Sequence, residues 1–305
     1  MMNIISKRYW YFAISLVVII PGIISLALWG LPLSIDFTGG SKLEVQLPQA
    51  VETAEIISLM ADLGFSDSIV QTSDNNTVII RTKTLDEASQ AKVVAGLKDK
   101  YGEVVVLRFD NVGPTVGAEV TQKAALAVAA ASIGILAYIT YAFWSVPHAI
   151  RYGVCAIIAM LHDVLVMIGA ASLLGHFLGW EVDALFLTAV LTVIGFSVHD
   201  TIVVFDRIRE NQRVYRRASY EAVVNHSIVQ TLDRSINTQL TVMFTLLALV
   251  LFGGVTIQHF ILTLLIGVFS GTYSSIFNAA PLLVVWENKE WGRWFGRGNQ
   301  AEATA

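Results

Sequence analysis

The stretch Ala184-Leu-Phe-Leu-Thr-Ala-Val-Leu-Thr-Val-Ile-Gly-Phe-Ser-Val-His-Asp-Thr-Ile-Val-Val-Phe-Asp206 decides how this chain is read. It is an apolar run of membrane length with a carboxylate, Asp200, well inside it. About 20 apolar residues cross a bilayer core, and an acid placed there costs roughly 2.5–3.5 kcal/mol on insertion scales. Residues that carry such a cost have a partner and a task, commonly proton or cation movement. The run therefore predicts a membrane protein that uses an ion.

The rest of the chain agrees. Hydrophobic residues make up 55% of 305 and charged residues 14%, against about 25% charged in a soluble domain. Net charge, −4, is uninformative because the charges are segregated. The one cysteine, Cys155, lies in an apolar run, which excludes an internal disulfide and reads as packing. No His-Glu-x-x-His or other spacing calls for a metal, and no cofactor is expected beyond a transported proton or sodium ion. A Gly-x-Gly-Asp motif is also absent, which excludes an intramembrane aspartyl protease.

Six stretches qualify as spans: about 9–30, 121–143, 150–174, 184–206, 236–254 and 258–285. The first holds Pro21-Gly22, which predicts a kink, and reads as an uncleaved anchor rather than a signal peptide. Orientation follows Lys and Arg in short loops. Residues 207–235 hold Arg207, Arg209, Arg213, Arg216, Arg217 and Arg234, and the tail 287–305 adds Lys289, Arg293 and Arg297. Loops 175–183 and 253–257 hold no Lys or Arg, so both termini are expected in the cytoplasm and segment 31–120 outside.

Residues 41–113 change texture. Ser41 to Leu47 alternates like a half-buried strand, Thr53 to Leu63 reads as a helix ended by Gly64, and Asp67 to Ser73 and Thr77 to Lys83 read as strands around the turn 74–76. A second helix runs from Leu85-Asp86-Glu87 to about Lys100, and Val104 to Phe109 is a last strand. The order βαββαβ predicts a ferredoxin-like α+β domain between the first two helices of an all-α membrane bundle. It carries no catalytic triad, phosphate loop or basic-aromatic stripe. Binding or mechanical work is expected there, with no enzyme activity and no nucleic acid.

Several residues stand out. A buried carboxylate such as Asp200 is pulled toward its protonated form by burial and toward its ionised form by a cation, a balance suited to loading and releasing a proton; a structural acid is the plainer reading. Arg234 precedes a span free of Asp, Glu, Lys and Arg from Ser235 to Trp286 and is its only charge to offer, or else an interface anchor. Asp163, after His162, is the deepest carboxylate and reads as a relay or gating part, or as pairing with a polar group on another helix. His199, His162 and Asn278 are candidate modulators, the histidines because they titrate near neutrality. Asp206 and Arg207 read as an ion pair closing the fourth span. Ser270, Ser274 and Asn278, at i, i+4 and i+8 with Gly267 and Gly271, read as helix packing or as a stripe aligned with Asp200. Loop 207–235 reads as an amphipathic helix on the membrane.

Two blocks carry a resemblance. Ile35-Asp36-Phe37-Thr38-Gly39-Gly40 follows the first span, and its paired glycines predict a hinge. Gly195 to Asn211, read Gly-Phe-Ser-Val-His-Asp-Thr-Ile-Val-Val-Phe-Asp-Arg-Ile-Arg-Glu-Asn, closes the fourth. With six spans and one outer domain, the chain from Ile4 to about Glu287 resembles SecF proteins of the SecD/SecF family, which share the design of resistance-nodulation-division transporters. The resemblance implies a bacterial inner-membrane subunit that pairs with SecD. It implies help for the SecYEG channel after SecA has begun pushing, drawing out an unfolded preprotein with the proton-motive force or sodium. It also maps an ion-transfer aspartate and arginine onto Asp200 and Arg234. Many relatives have an uncharged residue where this chain has His199, which bears on the ion used. A scaffold for SecD without its own ion path, and a small-molecule exporter of the same design, are the alternatives.

Overall fold

The chain becomes helical wherever about 20 apolar residues must satisfy their own backbone in lipid. The computed structural model describes residues 2–72, 76–144, 146 and 148–290. Among the described residues six helices are long and apolar enough to cross a membrane, which makes this a multi-pass membrane protein. The expected turn at 74–76 falls largely, and Arg293 and Arg297 wholly, outside the described residues. The elements are α1 (Arg8–Trp29), α2 (Ile35–Thr38), β1 (Gly40–Gln46), α3 (Thr53–Asp62), β2 (Ile69–Thr72), β3 (Thr77–Thr82), α4 (Glu87–Tyr101) and β4 (Val105–Val112). They continue with α5 (Pro114–Ala142), α6 (Ala149–Leu178), α7 (Ala184–Val214), α8 (Tyr220–Phe252), α9 (Val255–Ser274), a π-helical segment Ser275–Ala279, and α10 (Ala280–Glu287).

The chain divides into two compact units, Leu33–Leu126 and Met1–Pro32 with Ala127–Ala305. The smaller holds an antiparallel sheet in the order β2-β3-β1-β4, so β3 lies between β1 and β2 as a split βαβ requires. Alternation along β1 turns Leu43 and Val45 inward, where they meet Val78, Ile80, Ile56, Met60, Val93 and Leu97. Asp86 caps α4 by accepting from the Ser89 amide at 2.9 Å, and bonds from the Ser89 side chain and then its amide hold the carboxyl below the usual range.

In the larger unit small residues set the closest helix contacts. A Cβ on Gly22 of α1 would come within 2.7 Å of the Gly169 backbone on α6, and the reverse holds too. One turn on, Ser25 and Ser172 share a hydroxyl bond of 2.8 Å. α1 runs through Pro21-Gly22 as one continuous helix, with Gly22 at the contact. Phe143, Tyr152 and Phe205 pack ring on ring at one end, while Val17, Ile133, Phe244 and Phe269 face outward as a lipid-solvated surface would.

Two boundaries differ from expectation. Residues 207–235, read as one amphipathic helix, are the ends of two: α7 continues to Val214 and α8 begins at Tyr220, capped by Ser219. The charged residues there ride on extensions of the spans, because Asp, Glu and Arg at i, i+3 spacing support helix outside lipid. Likewise α5 begins at Pro114, inside the segment assigned to the outer domain, since proline suits a helix's first turn.

Candidate ion site in the membrane unit

Helix α6 sends Asp163 into the centre of the membrane unit, where it is 1% exposed. Its two oxygens accept from three serine hydroxyls. Ser270 of α9 donates to Oδ1 at 2.7 Å, and Ser197 of α7 and Ser274 of α9 each donate to Oδ2 at 2.6 Å. His162 Nδ1 lies 3.0 Å from Oδ1, while its buried Nε2 has no partner and its ring stacks on Tyr273. Asp163 thus ties α6, α7 and α9 together through hydroxyls, with no Lys or Arg paired to it among the described residues.

Asp200 sits one turn along α7 from Ser197 and is 4% exposed. Among the described residues it accepts one hydrogen bond, from Ser275 at 2.5 Å. Ser275 opens the π-helical segment. An α-helix gains an extra residue in such a segment, a device common at functional sites. Consecutive serines, Ser274 and Ser275, therefore serve the two carboxylates. An ionised carboxylate has about four acceptor positions, so Asp200 keeps capacity that Asp163 has spent. That capacity adjoins a cleft of about 420 Å³ lined also by Phe196, His199, Arg234, Ser235 and Gln239.

The other candidates resolve differently. Arg234 reaches the same cleft wall as Asp200, but it is exposed and forms no ion pair among the described residues. His199 is exposed at the cleft. Asn278 exchanges bonds with Ser15 of α1, donating at 2.8 Å and accepting at 3.1 Å, which is a packing contact between helices. Asp206 and Arg207 do not pair with each other: Arg209 donates to Asp206, and Arg207 pairs with Glu210 at 2.8 Å. Adjacent helix residues point about 100° apart, so partners are found one turn on.

The Asp36 block is a packed corner of the smaller unit. Ser34 caps α2 by accepting from the Asp36 amide at 3.2 Å. Gly39 and Gly40 have φ of 71° and 126°, and a Cβ on either would sit 2.7 Å from Pro114 or from the Thr82 carbonyl. Both glycines are required by conformation and by close approach. The Asp163 serine cage and the π-helical segment escaped sequence reasoning; only the spacing of Ser270 and Ser274 hinted at them.

A SecF-type bundle carrying buried carboxylates is a design with known relatives. The family model described as protein export membrane protein SecD/SecF, C-terminal, matches residues 92–289, and the SecD/SecF GG motif matches residues 24–51. The chain is 57% identical to the protein translocase subunit SecF of Anaerolinea thermophila over 302 residues, covering 98% of each. It is 51% identical to that of Thermobaculum terrenum over 317 residues, covering 100% of each. The protein translocase subunit SecDF of Bacillus subtilis is 35% identical over 291 residues, 93% of this chain and 38% of that protein. The crystal structure of SecDF, a translocon-associated membrane protein from Thermus thermophilus, superposes with a TM-score of 0.83 at 31% identity, over 94% of this chain and 39% of that one. The chain belongs to the SecD/SecF family of protein-export membrane proteins, and within it to the SecF subunits of the protein translocase.

Proposed function

We propose that this chain couples ion movement to preprotein export, with Asp200 as the group that takes up and releases the ion. The supporting observation is the contrast between two buried carboxylates: Asp163 accepts from three hydroxyls, while Asp200 accepts from one and adjoins a cleft shared with Arg234. Protonation or cation binding at Asp200 removes a charge from a water-poor site, and Arg234 approaches or withdraws as that charge changes. Asp163 responds through Ser274 and Ser275, which are adjacent in the chain. The work available is about 2.3 kcal/mol per charge per 100 mV. This is transport, not catalysis, and it needs no resident cofactor.

Under this reading the chain lies in the bacterial inner membrane with both termini in the cytoplasm and its small α+β unit outside. Its partners are SecD, the SecYEG channel, SecA functionally and the unfolded preprotein. The single-chain SecDF relatives, of which this chain matches under two fifths, support a separate SecD chain as the companion. The test is export of a secreted preprotein in cells carrying Asp200→Asn, with protein level and SecD association monitored. Export should fall while the complex stays assembled. Normal export from an assembled complex would favour the scaffold alternative.

A further inference from the structure

We infer that the basic cleft where α6, α7, α8 and α10 meet binds the headgroup of an anionic phospholipid. The cleft, about 430 Å³, is lined by Arg151, Arg209, Arg213 and Arg216 with one acid, Glu287. Glu287 is engaged by Arg151 at 2.5 Å, and Arg209, also paired to Asp206, donates to the Ala142 carbonyl at 3.1 Å while lying over the Phe143 ring. Arg209 and Arg213 share one face of α7 at i, i+4. Arg216 follows in the turn, exposed, with no acidic partner among the described residues. Arginines so placed suit a phosphate, which they grip bidentately. Tyr152 and Tyr220, hydroxyls 3.4 Å apart, add donors to the cleft wall.

The rim points to a lipid rather than a soluble anion. Ile150, next in sequence to Arg151, is 65% exposed, so apolar surface borders the cationic wall. Tyr141 and Trp144, each 79% exposed, close the neighbouring α5. Exposed Tyr and Trp gather at headgroup level, and basic pockets between spans at that level take anionic headgroups. A lipid phosphate would lie among the arginines with its acyl chains along Ile150 and the end of α5. This inference is independent of ion coupling at Asp200.

The test is native mass spectrometry of the full chain in mild detergent with equal phosphatidylglycerol and phosphatidylcholine. Phosphatidylglycerol should be retained preferentially, and the double variant Arg213→Gln, Arg216→Gln should retain about tenfold less of it with unchanged phosphatidylcholine. The double lysine variant should fall between. Arg217→Gln, exposed and outside the cleft wall, should match the parent. Thermal unfolding of each variant checks the fold; should the glutamine variant fail to fold, the lysine variant decides. Equal retention of the two lipids, no loss in a folded double variant, or displacement by millimolar inorganic phosphate or an acidic peptide would overturn the proposal.

Discussion

Asp163 and Asp200 show two ways of keeping a carboxylate inside a membrane protein. Asp163 is surrounded by donors, so removing it strands Ser197 and Ser270 and leaves Ser274 only the Gly271 carbonyl. A stranded buried hydroxyl costs about 1–3 kcal/mol. Asp163→Ala should therefore lower the thermal unfolding temperature of the purified protein clearly more than Asp200→Ala, after which Ser275 keeps the Thr272 carbonyl as partner. The hydroxyl of Ser275 offers a finer probe. A hydrogen bond to a charged group is worth about 1.5–3 kcal/mol, so Ser275→Ala should reduce export severalfold, with normal SecD association. Unchanged export would detach Ser275 from the ion cycle.

At the level of elements, small residues and one irregular segment matter more than the long helices. Gly22 and Gly169 touch backbone to backbone, so Gly169→Val should separate α1 from α6, read as new protease cleavage at their ends and a lowered unfolding temperature. Gly40→Ala meets both a positive φ and the Thr82 carbonyl, and should destabilise the small unit by about 1–2 kcal/mol or more. A second contact is pH-dependent. Glu290 accepts from Arg8 at 2.7 Å and from Tyr9 at 2.5 Å. Burial alone would raise its carboxyl, but the bonds from Tyr9, Arg8 and Asn288 outweigh it and hold the group below the usual range. A depressed folded value stabilises above the unfolded one and is lost as pH falls through the folded one. The tie between α1 and the tail should therefore hold at neutral pH and loosen below the ordinary glutamate range, in a step that Glu290→Gln removes from the unfolding profile. The spans and the βαββαβ order were legible because hydropathy and alternation are local signals. The Asp163 cage and the π-helical segment were not, since Ser197 and Ser274 are 77 residues apart in number and meet only by packing. The extensions of α7 and α8 were missed because span length was read from apolarity alone, whereas helix continues past the lipid.

For the whole molecule, topology and coupling are the claims to test. Cys155 is the chain's one cysteine and is fully buried, so introduced thiols can be read against a quiet background. A membrane-impermeant maleimide should label Ser66→Cys in the small unit from outside intact cells, and Arg217→Cys between α7 and α8 only after permeabilisation; both sites are exposed. Labelling of both from one side would overturn the orientation. The central claim is that Asp200 carries the ion. The most direct measurement is ion uptake by sealed vesicles holding the chain with SecD, under an imposed proton or sodium gradient. The parent complex should move one of these ions, and Asp200→Asn should reduce uptake to that of protein-free vesicles while Arg217→Gln does not. Uptake by an assembled Asp200→Asn complex at the parent rate would contradict the account.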